Sequence, residues 1–192
     1  MNTKYLNELL GYLERTVVTI DADEHEYLYD SDEMIRLLIN EFVECKARNN
    51  TAIFIGNGGS AAIASHMTAD YMKNGGIKTY SLYDNAVITC MGNDYGYEYL
   101  FSKPLEFLSQ KNDLLIAISS SGESKNIINA IDIAKSNKSR VITLTGFGNE
   151  NSVRRRGDLN IWVPCDKYGI VESIHNLILQ HIVDILTGLD VL

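Results

Sequence analysis

Residues 51–72, TAIFIGNGGSAAIASHMTADYM, and residues 114–136, LLIAISSSGESKNIINAIDIAKS, decide the fold. Each opens on a short, mostly apolar run, breaks into glycines or serines, and resumes with apolar residues at helical spacing. Runs that do not alternate apolar with polar suit strands buried on both faces, and a strand feeding a helix through a tight polar turn is half of a βαβ unit. Comparable runs are TYSLY ending at Tyr83, VITLT ending at Thr145 and LNIWV ending at Val163. Five strands in a parallel, helix-covered sheet are therefore expected, an α/β architecture.

Working outward, Leu6, Leu9, Leu10, Leu13 and Val17 recur at helical spacing from Tyr5 to about Ile20, and Ile35, Leu38, Ile39, Phe42 and Cys45 do so from about Asp32 to Arg48. Two helices are expected before the first strand. The acidic stretch from Asp21 to Glu33 between them reads as a solvated connection, with Ser31 or Asp32 placed to cap the second helix. Toward the carboxyl terminus, Ile170, Ile174, Leu177, Ile178, Ile182, Val183, Ile185 and Leu186 predict a long helix, apolar around more than half its circumference and suited to burial between subunits. The run Arg154 to Arg156 reads as an exposed loop or helix start.

Composition narrows the function. The chain has 192 residues, 45% of them apolar and only two prolines, enough for one sizeable core. A single domain over 1–192 is expected, with 1–49 supplying helices for oligomer packing and 51–192 a ligand-binding core. Seventeen Lys and Arg against 25 Asp and Glu give a net charge of -8, which disfavours a nucleic-acid surface and favours a small ligand. Cys45, Cys90 and Cys165 lack C-x-x-C spacing and read as buried thiols of a reducing compartment. Lys4, Glu8, Glu14 and Arg15 interrupt the amino-terminal apolar pattern, so neither a secretory segment nor a membrane span is expected there. The expectation is a soluble cytoplasmic protein.

The two loops carry the chemistry. In Gly56 to Ser60, glycines remove obstruction by Cβ, and the helix that follows supplies unpaired N–H groups and the positive end of its dipole. That arrangement suits phosphate. In the second loop, Ser119, Ser120, Ser121 and Ser124 surround Gly122 just before a helix; one serine would suffice as a cap, whereas several hydroxyls with backbone amides suit a phosphoryl group. Both loops would open at the carboxyl edge of one sheet, where open α/β folds bind ligands. No G-x-x-x-x-G-K-[ST] occurs. Gly56 to Ala61 does satisfy the loose dinucleotide pattern, but Asp84 lies 28 residues beyond Gly56, where about 20 is usual, and that pattern needs no serine-dense second loop. No nucleotide cofactor is expected.

FIGNGGSA from Phe54, GNDYGY from Gly92, SSSGES with its helix, the VITLTG turn and YGIVESIH together resemble the sugar isomerase (SIS) domain family, within it the bacterial phosphoheptose isomerases. The resemblance spans nearly the whole chain. It implies a three-layer fold with a five-stranded flavodoxin-like sheet, a homotetramer with sites between subunits, and conversion of sedoheptulose 7-phosphate to glycero-manno-heptose 7-phosphate for a lipopolysaccharide or capsule precursor. It further implies that Ser119, Ser120, Ser121 and Ser124 hold the phosphate, and that Asn57, Gly58, Gly59, Ser60 and Asp94 lie against the sugar. His66 matches the histidine of the family's metal and catalytic pair. Asp70 stands where the family has glutamate, Glu172 where it has glutamine, Gln180 where it has histidine, and Gly169 where it has aspartate. The implied metal set is His66, Asp70, Glu172 and Gln180, around zinc or another divalent ion.

Shifting a proton between adjacent carbons needs a base, a shuttle between oxygens and stabilisation of an enediolate. His66 and Asp70, four residues apart, share a helix face, and Glu172, Asn176 and Gln180 form a stripe on the last helix. Asp70 and Glu172 are the candidate bases; His175 and His181 read as helix histidines at a subunit contact. The second function class is a non-catalytic SIS protein, a phosphosugar-binding or protein-interaction module associating with a replication initiator.

Overall fold

In the computed structural model, which describes residues 3–20 and 26–189, a mixed sheet of seven strands runs in the order β2-β1-β7-β6-β5-β3-β4. Its strands are β1 (Val17–Ile20), β2 (Glu26–Leu28), β3 (Thr51–Gly56), β4 (Lys78–Thr79), β5 (Leu114–Ser119), β6 (Arg140–Thr145) and β7 (Leu159–Trp162). From β4 through β3, β5 and β6 to β7 every pairing is parallel. β1 then pairs antiparallel with β7, Val17 opposite Trp162, and β2 antiparallel with β1.

Among the described residues seven α-helices accompany the sheet: α1 (Thr3–Leu13), α2 (Asp32–Ala47), α3 (Gly59–Lys73), α4 (Asn85–Asp94), α5 (Ser102–Leu108), α6 (Lys125–Ser136) and α7 (Tyr168–Leu186). The alternate side chains of each central strand divide between two apolar layers. Phe54, Ile116 and Leu144 face α2, α3 and α7, where Phe42, Met67 and Ile174 meet them. Ile53, Leu115 and Val141 face α5 and α6, packing with Leu105, Ile127 and Ile131. All six residues of β3 and of β5 are buried, as their unbroken apolar runs require.

Five sequence expectations are corrected. The helix expected from Tyr5 to about Ile20 ends at Leu13, because Thr16 to Ile20 are all β-branched and pair as a strand instead. The five-strand count therefore rises to seven, and two short strands separate the amino-terminal helices. In the acidic connection, 21–25 lie outside the described residues, while Glu26–Leu28 form β2 and Ser31 caps α2 by accepting from the Met34 amide. Arg154 is not exposed: 1% accessible, it lies over the Trp162 ring at 4.3 Å and pairs with Glu26. Cys45 and Cys165 are buried, but Cys90 is exposed on α4.

Candidate active site

Because β3 and β5 are adjacent and in parallel register, with Gly56 opposite Ile118, their terminal loops leave the sheet side by side. They line one crevice of about 230 Å³, whose walls are Asn57, Gly58, Gly59 and Ser60 on one side and Ser119, Ser120, Ser121 and Ser124 on the other. Tyr168 and Glu172, one turn apart on α7, complete it.

The serine loop is shaped for an anion. Gly122 has φ +68, and a Cβ there would stand 1.8 Å from Oδ1 of buried Asn151, so only glycine passes. Asn151 is itself fixed, donating from Nδ2 to the carbonyls of Gly146 at 3.1 Å and Gly148 at 2.8 Å, while the Val153 amide donates to the Gly122 carbonyl. The segment after β6 thus buttresses the loop. Ser124 occupies the cap position of α6 yet its side chain makes no capping bond, and among the described residues the buried Ser120 hydroxyl has no partner. Both serines line the crevice at the positive end of a twelve-residue helix. Glu123 is kept out of their way: Ser152 donates to its carboxylate from backbone and hydroxyl, at 3.0 and 2.7 Å, and these bonds hold the carboxyl below its usual range.

The glycine loop holds a different device. A Cβ on Gly59 would lie 2.4 Å from Oε2 of Glu172, so the absent side chain is what lets this carboxylate settle against the first turn of α3. Asn57 is locked by a reciprocal amide pair with Asn126, both bonds 2.9 Å, and its Oδ1 also accepts from the Tyr97 hydroxyl.

Other candidate residues stand elsewhere in the single chain. His66 Nε2 and Asp70 Oδ2 are 3.3 Å apart on α3, and His66 lies about 10 Å along the axis from Gly59 at 1.5 Å per residue. Asp94 ends α4, where Asn93 donates to it. Neither the pair nor Asp94 lines the crevice. Gln180 gives its amide to Asp184 at 3.0 Å and borders a separate cavity of about 540 Å³ with Leu10, Tyr29 and His181. There the Tyr29 hydroxyl, its ionisation pushed up by burial, is hydrogen-bonded to Nδ1 of His181 at 3.0 Å. Among the described residues no three of His, Cys, Asp and Glu gather as a metal cage. The set His66, Asp70, Glu172 and Gln180, divided between two cavities and a helix face, does not fit a four-ligand centre.

His175 is interior rather than at a subunit contact: fully buried, with Nε2 3.1 Å from the Thr145 carbonyl and Nδ1 unpartnered, it has its pKa pushed down by burial to about 4. Sequence reasoning missed Tyr168 and Asn151. The tyrosine sits one helical turn before Glu172, a spacing that was legible; nothing in the sequence around Asn151 distinguishes it from an ordinary turn residue.

The SIS domain family model matches residues 25–146. A phosphoheptose isomerase of Colwellia psychrerythraea is 35% identical over 152 residues, covering 75% of this chain and 78% of the relative. One from Campylobacter jejuni is 32% identical over 182 residues, covering 88% and 96%. The solved structure of a phosphoheptose isomerase from Francisella tularensis superposes with a TM-score of 0.81 at 27% identity, over 97% of this chain and 96% of that one.

Proposed function

The chain belongs to the SIS domain family, and from that membership and the crevice we propose that it is an isomerase of ketose and aldose phosphates, with sedoheptulose 7-phosphate as substrate. The observation that carries the reading is the convergence of a glycine turn, a serine turn and one carboxylate on a single crevice. The serines and the amides of α6 hold the phosphate, which fixes the sugar chain relative to α7. Glu172 removes the proton from the hydroxyl-bearing carbon C1 beside the carbonyl, giving an enediolate, and returns it to C2, while the hydroxyl proton passes from O1 to O2 in the same direction. Amides at the start of α3 face the developing negative charge. A carboxylate placed inside the crevice favours this reading over a protein-interaction module.

His66 and Asp70 form a second acid and base pair on α3 and belong to the oxygen-to-oxygen transfer in the assembled enzyme. Assembly is part of the proposal: α1 buries no residue within the chain, Tyr5, Leu6, Leu10 and Leu177 leave exposed apolar surface, and Leu10 and Leu177 line the larger cavity, which suits a homotetramer. No step is routed through a metal. No described helix is long and apolar enough to cross a membrane. A cytoplasmic location is part of the proposal, in keeping with a phosphorylated sugar that serves as a surface polysaccharide precursor. Incubation with sedoheptulose 7-phosphate in deuterated water, followed by NMR, should show the aldose and deuterium at C2. Absence of both product and exchange, for this and for shorter ketose phosphates, would overturn the assignment.

A further inference from the structure

The crevice has one aromatic wall, and its construction is costly. Phe147, which follows β6, holds φ +57, a left-handed conformation unusual for a bulky residue. It is held from both sides: its amide donates to the Cys165 carbonyl at 2.8 Å, and its carbonyl accepts from Nε1 of Trp162 at 3.2 Å. What this conformation achieves is an edge-on contact with Tyr168, ring centroids 4.8 Å apart at 64°. Tyr168 itself is 58% exposed, lines the crevice, and precedes Glu172 by one turn. A ligand whose phosphate sits in the serine loop and whose reacting carbon reaches Glu172 therefore runs past the phenol ring.

We propose that Tyr168, positioned by the left-handed Phe147, is the residue that selects phosphosugars with an extended polyol chain. The ring offers an apolar face to the C–H side of the chain and a hydroxyl to one of its oxygens, whereas phosphate alone or a three-carbon ester ends before gaining from either. Phe147 is a positioning residue, acting through Tyr168. This inference rests on the isomerase reading for the substrate, but its test is a binding measurement that does not need turnover.

Calorimetric titration of wild type, Tyr168→Ala, Tyr168→Phe, Phe147→Gly and the double variant Tyr168→Ala/Phe147→Gly with sedoheptulose 7-phosphate, dihydroxyacetone phosphate and inorganic phosphate separates the outcomes. Tyr168→Ala should weaken the seven-carbon ligand about tenfold, a size consistent with one aromatic contact, and leave the other two within about twofold. Tyr168→Phe should retain part of the loss, and Phe147→Gly should weaken the same ligand selectively with no further loss in the double variant. Equal losses for all three ligands, or unchanged affinity for the long one in a folded Tyr168→Ala protein, would overturn the proposal. If wild type binds the seven-carbon ester and Tyr168→Ala loses it, yet no ketose phosphate is turned over, the selectivity stands and the isomerase reading falls.

Discussion

Gly59→Ala separates folding from chemistry at a single atom. Gly59 is the first residue of α3, and its backbone is not left-handed, so alanine is acceptable to the main chain and gains up to about 1 kcal/mol of helix propensity. The conflict is local: the new methyl would stand 2.4 to 2.5 Å from three atoms of the Glu172 carboxyl group. The carboxylate must swing away by about 1 Å or more to restore contact distance, and a misplacement of that size costs on the order of 100-fold in rate. The expected variant melts at or slightly above the wild-type temperature, binds inorganic phosphate normally and turns over about 100-fold more slowly. Glu172→Ala should lose about 100- to 10,000-fold in kcat as a missing general base. Since Gly59→Ala acts only by displacing that base, the double variant should be no slower than Glu172→Ala alone. Steady-state kinetics on the four proteins reads the cycle. A wild-type kcat in Gly59→Ala, or losses that multiply in the double variant, would refute Glu172 as the base.

Ser121→Ala and Ser124→Ala should each weaken phosphorylated sugars by about 1.5 to 3 kcal/mol, roughly 10- to 150-fold, while leaving free sugars nearly unaffected in a competition assay. Asp70→Asn should lower kcat with little change in KM if the His66 and Asp70 pair serves the oxygen-to-oxygen transfer; an unchanged kcat removes the pair from the reaction. His175 predicts a pH dependence of stability. Its folded pKa, about 4, lies below the ordinary 6.5, so the unfolded chain binds the proton first as pH falls, and stability is lost from about pH 6.5 down to 4. The full loss is about 3 kcal/mol at 1.4 kcal/mol per unit, and denaturant titrations of His175→Asn should show that slope flattened.

The central strands were legible because burial on both faces leaves an unbroken apolar signature, as in residues 51–56 and 114–119. The loops were legible because glycine and serine densities at strand ends have few other uses. What periodicity hid was Val17–Ile20: the leucines of α1 set a helical rhythm that Val17 happens to continue, whereas the β-branched run from Thr16 decides the strand only once β7 is there to pair with it. Arg154 was misread for a related reason, since its burial depends on Trp162 and Glu26, partners distant in sequence. Asp94, His66 and Gln180 were grouped with the crevice on resemblance, and their separation in one chain is a fact of packing that spacing alone does not encode.

The outermost strands have a consequence for how copies of this chain can meet. β2 is three residues long and β4 only two, so the sheet ends on both sides in very little unpaired backbone. Runaway stacking of sheets edge to edge, a hazard for so apolar a set of central strands, finds almost no template here. Any association between copies would be left to side chains on helix surfaces, which can be tuned for a closed assembly rather than an open fibre.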